Sequence, residues 1–378
     1  MEERHLISSS MKWKEILEIK SGKNQKDVVD INGRYPIYGS GGIIGYSKEY
    51  LCPAGTTIIG RKGTINSPLY VNEPFWNVDT AFGLIPSQQL VSKYLYYFCC
   101  YFNFKALDKS TTIPSLAKRD LENVEMPVPP LDEQTCIVAR IEELFSELDK
   151  AVDTLNTSKE QLAVYRQAVL KDFFDSISGQ TGRIKDVCKD IKVGIVIKPT
   201  QYYVSENGVR AFRNSNVRRG YIDDTEWVTI SKDGHELNLR SEVHTNDVLI
   251  SRSGANLGMA AVVPEQYNGY NAIDVVIAVP DTAKIIPEFL AQYTNSPMGR
   301  AIVKKNERGA AQGHLNVSAY ANLPICVPEL KEQEHLVNQI AERLSVCDSI
   351  EKTVGAALAQ ADAIRQSILK QAFEEGIV

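Results

Sequence analysis

Apolar positions follow two rhythms along the chain. Between residues 137 and 169 they step alternately by four and three, through Ile137, Ile141, Leu144, Leu148, Ala151, Leu155, Ser158, Leu162, Tyr165 and Val169. That is the heptad spacing that gathers one face of a long helix. The spacing returns at Leu336, Ile340, Arg343, Cys347, Ile350, Val354, Ala357, Ala361, Ile364 and Ile368. Pro129 and Pro130 stop whatever precedes the first run and Pro328 the second, and acidic residues such as Asp132, Glu133, Glu332 and Glu334 suit a helix N-terminus. With no proline in 131–177 or 329–378, each helix is expected to run for about 44 residues, roughly 65 Å at 1.5 Å per residue. The expected seam consists of Ile141, Leu148, Leu155, Leu162 and Val169 against Ile340, Ile350, Val354, Ile364 and Ile368.

The two runs are copies. "VPPLDEQ" at 128–134 returns as "VPELKEQ" at 327–333, and the same ungapped shift of 199 pairs Leu116 with Leu315, Asp149 with Asp348, and "RQAVLKDFF" with "RQSILKQAF". A repeat of about sixty residues is an architectural unit. The second copy is small-sided at "GAALAQADA" where the first offers Leu155 and Leu162, so the two can approach closely. With the order domain, helix, domain, helix, an antiparallel pair that puts one domain at each end is expected, and a homodimeric coiled coil is the alternative.

Before each helix the rhythm shortens. "TTIIG" and "SPLYV" in the first segment, and "EWVTI", "DVLIS" and "AIDVVIAV" in the second, are short β-rich runs broken by Gly, Pro and Asn. Short helices are expected near 90–105 and 287–306. A faint likeness joins the segments: "GTTIIGRKGT" with "NDVLISRSGA", "WNVDTA" with "YNAIDVV", and "WKEI" with "IKDV". The fold class is therefore α+β, with two mixed α/β domains (1–125 and 181–325), two long antiparallel coiled-coil helices (126–180 and 326–378), and a pseudo-two-fold internal repeat.

Composition is that of an ordinary globular protein, with 378 residues, 43 % of them hydrophobic and 24 % charged. No apolar run approaches membrane-spanning length and the first ten residues lack a signal-type core, which leads to an expectation of a cytoplasmic chain with no membrane partner. Seven cysteines without a C-x-x-C pair suit a reducing compartment. The net charge of −5 is unevenly spread: residues 1–125 hold 15 Lys+Arg against 13 Asp+Glu and 183–325 hold 17 against 15, while 126–182 hold 5 against 10 and 326–378 hold 5 against 9. The acidity sits in the helices, and the mildly basic domains permit DNA binding.

Catalytic signals are missing. "YGSGGIIGY" (38–46) has G-x-G-G-x-x-G spacing without a strand-then-helix context or a following acidic ribose ligand, so it is read as a turn that lets backbone approach a surface. "NSPLY" and "NEPFW" lack the double proline of an adenine-methylating motif, and His5, His235, His244, His314 and His335 make no ligand spacing. No catalytic residue, metal site or cofactor is assigned to this chain. The remaining side chains suit DNA reading, because arginine can address guanine bidentately and asparagine adenine. In the first domain the candidates are Ser40, Gly41, Tyr46, Arg61, Lys62, Asn66, Asn77, Lys109, Thr111 and Thr112. In the second they are Arg213, Asn214, Asn216, Arg218, Arg252, Ser253, Asn256, Asn271, Arg308 and Gln312.

The order of variable domain, "VPPLDEQ" helix, variable domain, "VPELKEQ" helix, with its "RQAVLK" and "RQSILK" exits, resembles the specificity subunit of type I restriction–modification enzymes over essentially the whole chain. The resemblance implies two target recognition domains that each read half of a bipartite, asymmetric double-stranded DNA sequence. It also implies helices that set the spacer and dock two methyltransferase (modification) subunits. Those subunits would carry S-adenosylmethionine and methylate adenine N6, and restriction subunits would add ATP- and Mg-dependent cleavage. A methylation-only or other phage-defence complex is the alternative within the family. A coiled-coil scaffold with two non-DNA ligand-binding domains is the alternative outside it.

Overall fold

The structure, a computed structural model, describes residues 10–306 and 314–375. Its contacts divide the chain into two compact units, Met1–Asn156 with Gly355–Val378, and Thr157–Val354. The repeat-based boundaries fall where the helices begin, whereas the units divide each long helix near its middle.

In the first unit a four-stranded antiparallel sheet runs in the order Leu17–Ser21, Ala81–Pro86, Thr56–Gly60, Leu69–Val71. The strand Thr56–Gly60 is buried along its whole length, which is why it reads as a continuous apolar and β-branched run. A second sheet places Tyr35–Gly39 between antiparallel Gly42–Ser47 and parallel Trp76–Asn77. The helix Ser92–Tyr101 packs on the first sheet through Tyr94, Leu95 and Phe98.

The second unit repeats this plan. Its four strands run Cys188–Val193, Val275–Pro280, Val248–Ser251, Ala260–Val262, and Val209–Phe212 lies between antiparallel Val228–Ile230 and parallel Asn271–Ala272. The helix Pro287–Asn295 takes the place of Ser92–Tyr101. Gly22 and Gly194 occupy corresponding crossings, where a Cβ would meet Val78 O at 1.9 Å and Ala272 O at 2.3 Å. Only glycine lets the chain pass so close to backbone at these points.

The long helices are Leu131–Asp175 and Leu330–Lys370. Within each unit their segments run antiparallel. In the first, Arg365 pairs with Asp149 and lies 4.6 Å over the Phe145 ring. In the second, Arg166 reaches Asp348 at 2.6 Å and Arg343 lies 5.0 Å over the Phe173 ring. The two Arg–Asp pairs are equivalent under the 199-residue shift. Each domain is held by the start of one helix and the end of the other: Phe373 packs on Tyr94 and Phe98, and its repeat equivalent Phe174 packs on Phe289 and Tyr293.

The seam departs from strict heptads. Ile141, Val169, Ile340 and Val354 are buried and Leu148, Leu155, Leu162 and Ile368 are half-buried, but Ile350 and Ile364 are exposed, at 43 % and 41 %. Exposure also claims Ala151, Arg343 and Tyr165, while their C-terminal neighbours Val152, Leu344 and Arg166 turn inward. At those three points the contact line passes one residue C-terminal to the heptad position, as a repeat nearer 3.6 than 3.5 residues per turn allows.

Candidate nucleic-acid interface

In the first domain Ser40 and Gly41 form the turn of a hairpin whose next residue, Gly42, has φ +124°. Beyond that turn Ile43, Ile44 and Tyr46 are exposed, at 52 %, 58 % and 47 %. An apolar strand edge presented in this way fits a surface that meets a partner. A second loop lies where residues 61–63 meet 108–116. The Leu116 N–H donates to Arg61 O at 2.9 Å, and the Gly63 N–H donates to Pro114 O at 2.9 Å. The Asp108 carboxylate accepts from the Ser110 hydroxyl (2.6 Å), the Ser110 N–H (3.0 Å) and the Ser115 N–H (3.1 Å), which fold the loop and hold that carboxyl below its ordinary range. Lys62, Thr111 and Thr112 are exposed there. Lys109 pairs with Asp120 at 2.9 Å, and the Arg61 Nη1 donates to Asp79 O at 3.3 Å.

One first-domain candidate is buried, and a second is exposed but partly engaged. Asn77 is fully buried; its Nδ2 donates to Ala81 O at 3.2 Å and its Oδ1 accepts from the Cys52 thiol at 3.3 Å. Asn66 spends its Oδ1 on the Phe104 N–H at 2.8 Å. Nor does Asn77 correspond to Asn271, as matching "WNVDTA" to "YNAIDVV" suggests. Asn77 O accepts from the Lys23 N–H, and the corresponding bond runs from Ile195 to Ala272 O, so the two asparagines differ by one position.

Most second-domain candidates form one internal network. Asn214 Oδ1 accepts from the Arg252 N–H (2.7 Å) and the Ser251 hydroxyl (3.0 Å), while its Nδ2 donates to Ser253 Oγ (2.9 Å) and Asp274 O (3.0 Å). Asn256 donates to Asn214 O at 2.9 Å and accepts from Arg218 Nη1 at 2.8 Å. Arg218 also donates twice to Asp223, at 3.1 and 3.0 Å. Hydrogen bonds from Thr225, and then from Arg218, hold the Asp223 carboxyl below its ordinary range. Arg252 pairs with Asp274 at 3.0 Å. Asn216 is buried and ties the Arg213 N–H to the carbonyls of Asp223 and Glu226. Asn271, also buried, bonds His235 and Asn238 O.

Asn214, Asn216, Asn256 and Asn271 thus spend their hydrogen-bonding groups inside the fold, and an amide so engaged reaches a base only by breaking those bonds. Arg218 and Arg252 are similarly committed, and Ser253 serves as an acceptor for Asn214. What they build is a stiff support for the loops. On that support Arg213 stays 38 % exposed, 3.9 Å from Glu226, and Arg219 and Tyr221 project from a tight turn. Arg308 and Gln312 lie outside the described residues. Among the described residues, no group of His, Cys, Asp or Glu is placed to hold a metal.

Residue types alone did not point to the glutamines of the repeated heptapeptide. Gln134 is fully buried; its Oε1 accepts from the Val91 N–H (2.8 Å) and its Nε2 donates to Gln89 O (2.9 Å) and Pro129 O (2.8 Å). Gln333 does the same with the Ile286 N–H, Lys284 O and Pro328 O, each at 2.9 Å. Each glutamine fastens the first turn of a long helix to the loop before its domain's packing helix. Their recurrence at the same place in both heptapeptides was the available signal.

Comparison with known proteins agrees with this twofold plan. A family described as the type I restriction modification DNA specificity domain matches residues 8–162 and 170–360, so each match takes in one domain and most of the long helix that follows it. The chain is 26 % identical over 349 residues to the type I restriction enzyme EcoBI specificity subunit of Escherichia coli, covering 84 % of this chain and 72 % of that one. It is 24 % identical over 341 residues to the EcoKI specificity subunit of Escherichia coli (strain K12), covering 83 % and 72 %. A solved structure from work on complex assembly and conformational transition of the type I R-M system matches with a TM-score of 0.70 at 16 % identity, covering 97 % of this chain and 98 % of that one.

Proposed function

The chain belongs to the type I restriction modification DNA specificity family, and from that premise we propose how it works as the DNA sequence-specificity subunit of a type I restriction–modification complex. Each domain reads one half of a bipartite, asymmetric target, and the paired helices fix the separation of the halves. The subunit is non-catalytic, and the complex's enzymatic activities reside on its partners. In this reading two modification subunits dock on the helices, carry S-adenosylmethionine and methylate adenine N6. Restriction subunits supply the ATP- and Mg-dependent cleavage. Among the described residues no helix is long and apolar enough to cross a membrane, and a cytoplasmic setting follows from the DNA target.

One observation carries the reading: a single scaffold is used twice, each copy is fastened to a helix by the same buried glutamine, and the loops it carries are unlike. Shared scaffolding with different loops is the arrangement required to read two different sequences from one design. A rigid spacer matters because one added base pair moves a half-site by about 3.4 Å and turns it by about 35°. The test is to replace residues 181–325 with the corresponding segment of a relative and sequence the methylated sites. One half of the recognised sequence should change and the other should stay. A change in both halves contradicts modular reading.

A further inference from the structure

The second unit contains a cleft of about 490 Å³ where the recognition domain faces its helical segments. Four cations line it, Lys159, Arg166, Arg219 and Lys352, against two carboxylates, Asp348 and Glu351. Both carboxylates are taken by one guanidinium, since Arg166 Nη2 donates to Asp348 at 2.6 Å and to Glu351 at 2.9 Å. Lys159, Arg219 and Lys352 have no ion-pair partner among the described residues. Arg219 is also held in place: its turn is closed by pairing of Val217 with Ile222 and by the Arg218 N–H donating to Tyr221 O at 3.1 Å, with Gly220 at φ +83°. Near it, Arg300 has a buried Nη1 without a hydrogen-bond partner, and burial together with the Arg219 charge lowers its pKa. With both carboxylates spent on Arg166, the three remaining cations form a site for an anion.

The repeat supplies an internal comparison. The first unit has a cleft of about 670 Å³ beside the equivalent ion pair, Arg365 with Asp149, but three carboxylates line it (Glu142, Asp149, Asp153) against two cations (Lys150, Arg365). The 199-residue shift carries Asp153 onto Lys352. The architecture therefore does not require the positive charge of the second cleft.

We propose that this cleft holds a backbone phosphate of the duplex flanking the half-site read by the second domain, adding affinity and register without adding sequence information. Such a division is physically reasonable, since phosphate contacts position a protein on DNA and base contacts specify the site. The proposal rests on the specificity-subunit reading and deepens it.

The test uses the intact complex with its methyltransferase subunits. Affinity for a target duplex is measured by fluorescence anisotropy across a salt series for wild type, Arg219→Ala, Lys352→Ala, the double variant and Arg219→Lys. Each lost phosphate contact should flatten the slope of log K against log salt by about 0.9. The double variant, which loses the one phosphate of the cleft, should therefore lose about 0.9 of slope while methylating the same sequence, and Arg219→Lys should keep the wild-type slope. A double variant with the wild-type slope overturns the cleft assignment alone. A wild-type complex that binds its target no better than random duplex overturns the specificity reading, and the cleft proposal with it.

Discussion

Replacing Gln333 with alanine should partly detach the second helix from its domain. The side chain is fully buried and makes three hydrogen bonds of 2.9 Å, accepting from the Ile286 N–H and donating to Lys284 O and Pro328 O. Truncation leaves one N–H and two carbonyls without that partner in a site closed to solvent. An unsatisfied buried group costs roughly 1–3 kcal/mol, and the carbonyls, each with a second lone pair, fall at the low end. The expected loss is about 3–5 kcal/mol, a large share of the roughly 5–15 kcal/mol that stabilises a typical domain. Hydrogen exchange read by mass spectrometry should show the segment around Ile286 exchanging at least about 100-fold faster, since each 1.4 kcal/mol is tenfold. The first domain should be unaffected, and Gln134→Ala should produce the mirror result around Val91. Gln333→Glu separates hydrogen bonding from packing. At neutral pH its carboxylate would face two carbonyls, so burial should raise its pKa and the variant should be less stable than wild type. A raised folded-state pKa means that this defect eases as pH falls and grows as pH rises through that pKa. A loss below about 1 kcal/mol for Gln333→Ala, or unchanged exchange at Ile286, would refute the fastening role.

The other expectations concern reading, stability and pH. Asn216→Ala should destabilise the second domain by about 1–3 kcal/mol, measured by denaturant unfolding, and leave the methylated sequence unaltered; a changed sequence would return Asn216 to the interface. Arg213→Ala should weaken recognition of one half-site by up to about 3 kcal/mol, read on oligonucleotides altered in each half; equal loss at every position would mean that it holds only phosphate. Arg365→Ala removes the Asp149 pair and the contact over Phe145, which should cost about 1–2 kcal/mol and speed exchange in the helix segments of the first unit. Burial raises the Asp247 carboxyl above its ordinary value, against the opposing His244 N–H and nearby Lys192. Its stabilising contribution is thus fully present below the unfolded pKa and lost as pH rises through the folded one. Asp247→Asn should flatten that part of the stability profile in urea unfolding at stepped pH, and an unchanged profile would show that the carboxyl does not titrate there.

The repeat, the two helices and the β-rich texture of the domains were legible because they depend on spacing, and spacing survives in a bare sequence. The reading residues were not, because they depend on burial. "FRNSNVRRG" looks like a run of base-reading groups, yet Asn214, Asn216 and Arg218 spend their hydrogen bonds inside the fold, while Arg219 is exposed and the Arg213 charge meets only Glu226 among the described residues, at 3.9 Å. Nothing in residue type distinguishes an asparagine that binds adenine from one that ties two strand ends together. Heptad counting similarly placed Ile350 and Ile364 in the seam, where both are exposed, since it assumes one strict period along the whole helix. Gln134 and Gln333 were visible as an identity between repeats, but their purpose needed the loops that they reach.

The most direct test is single-molecule sequencing of adenine methylation in a host carrying the partner methyltransferase gene, with and without this chain. A split motif should be present with the chain and disappear on its deletion. Identical methylation in both strains, with the methyltransferase demonstrably active on other DNA, would contradict the account.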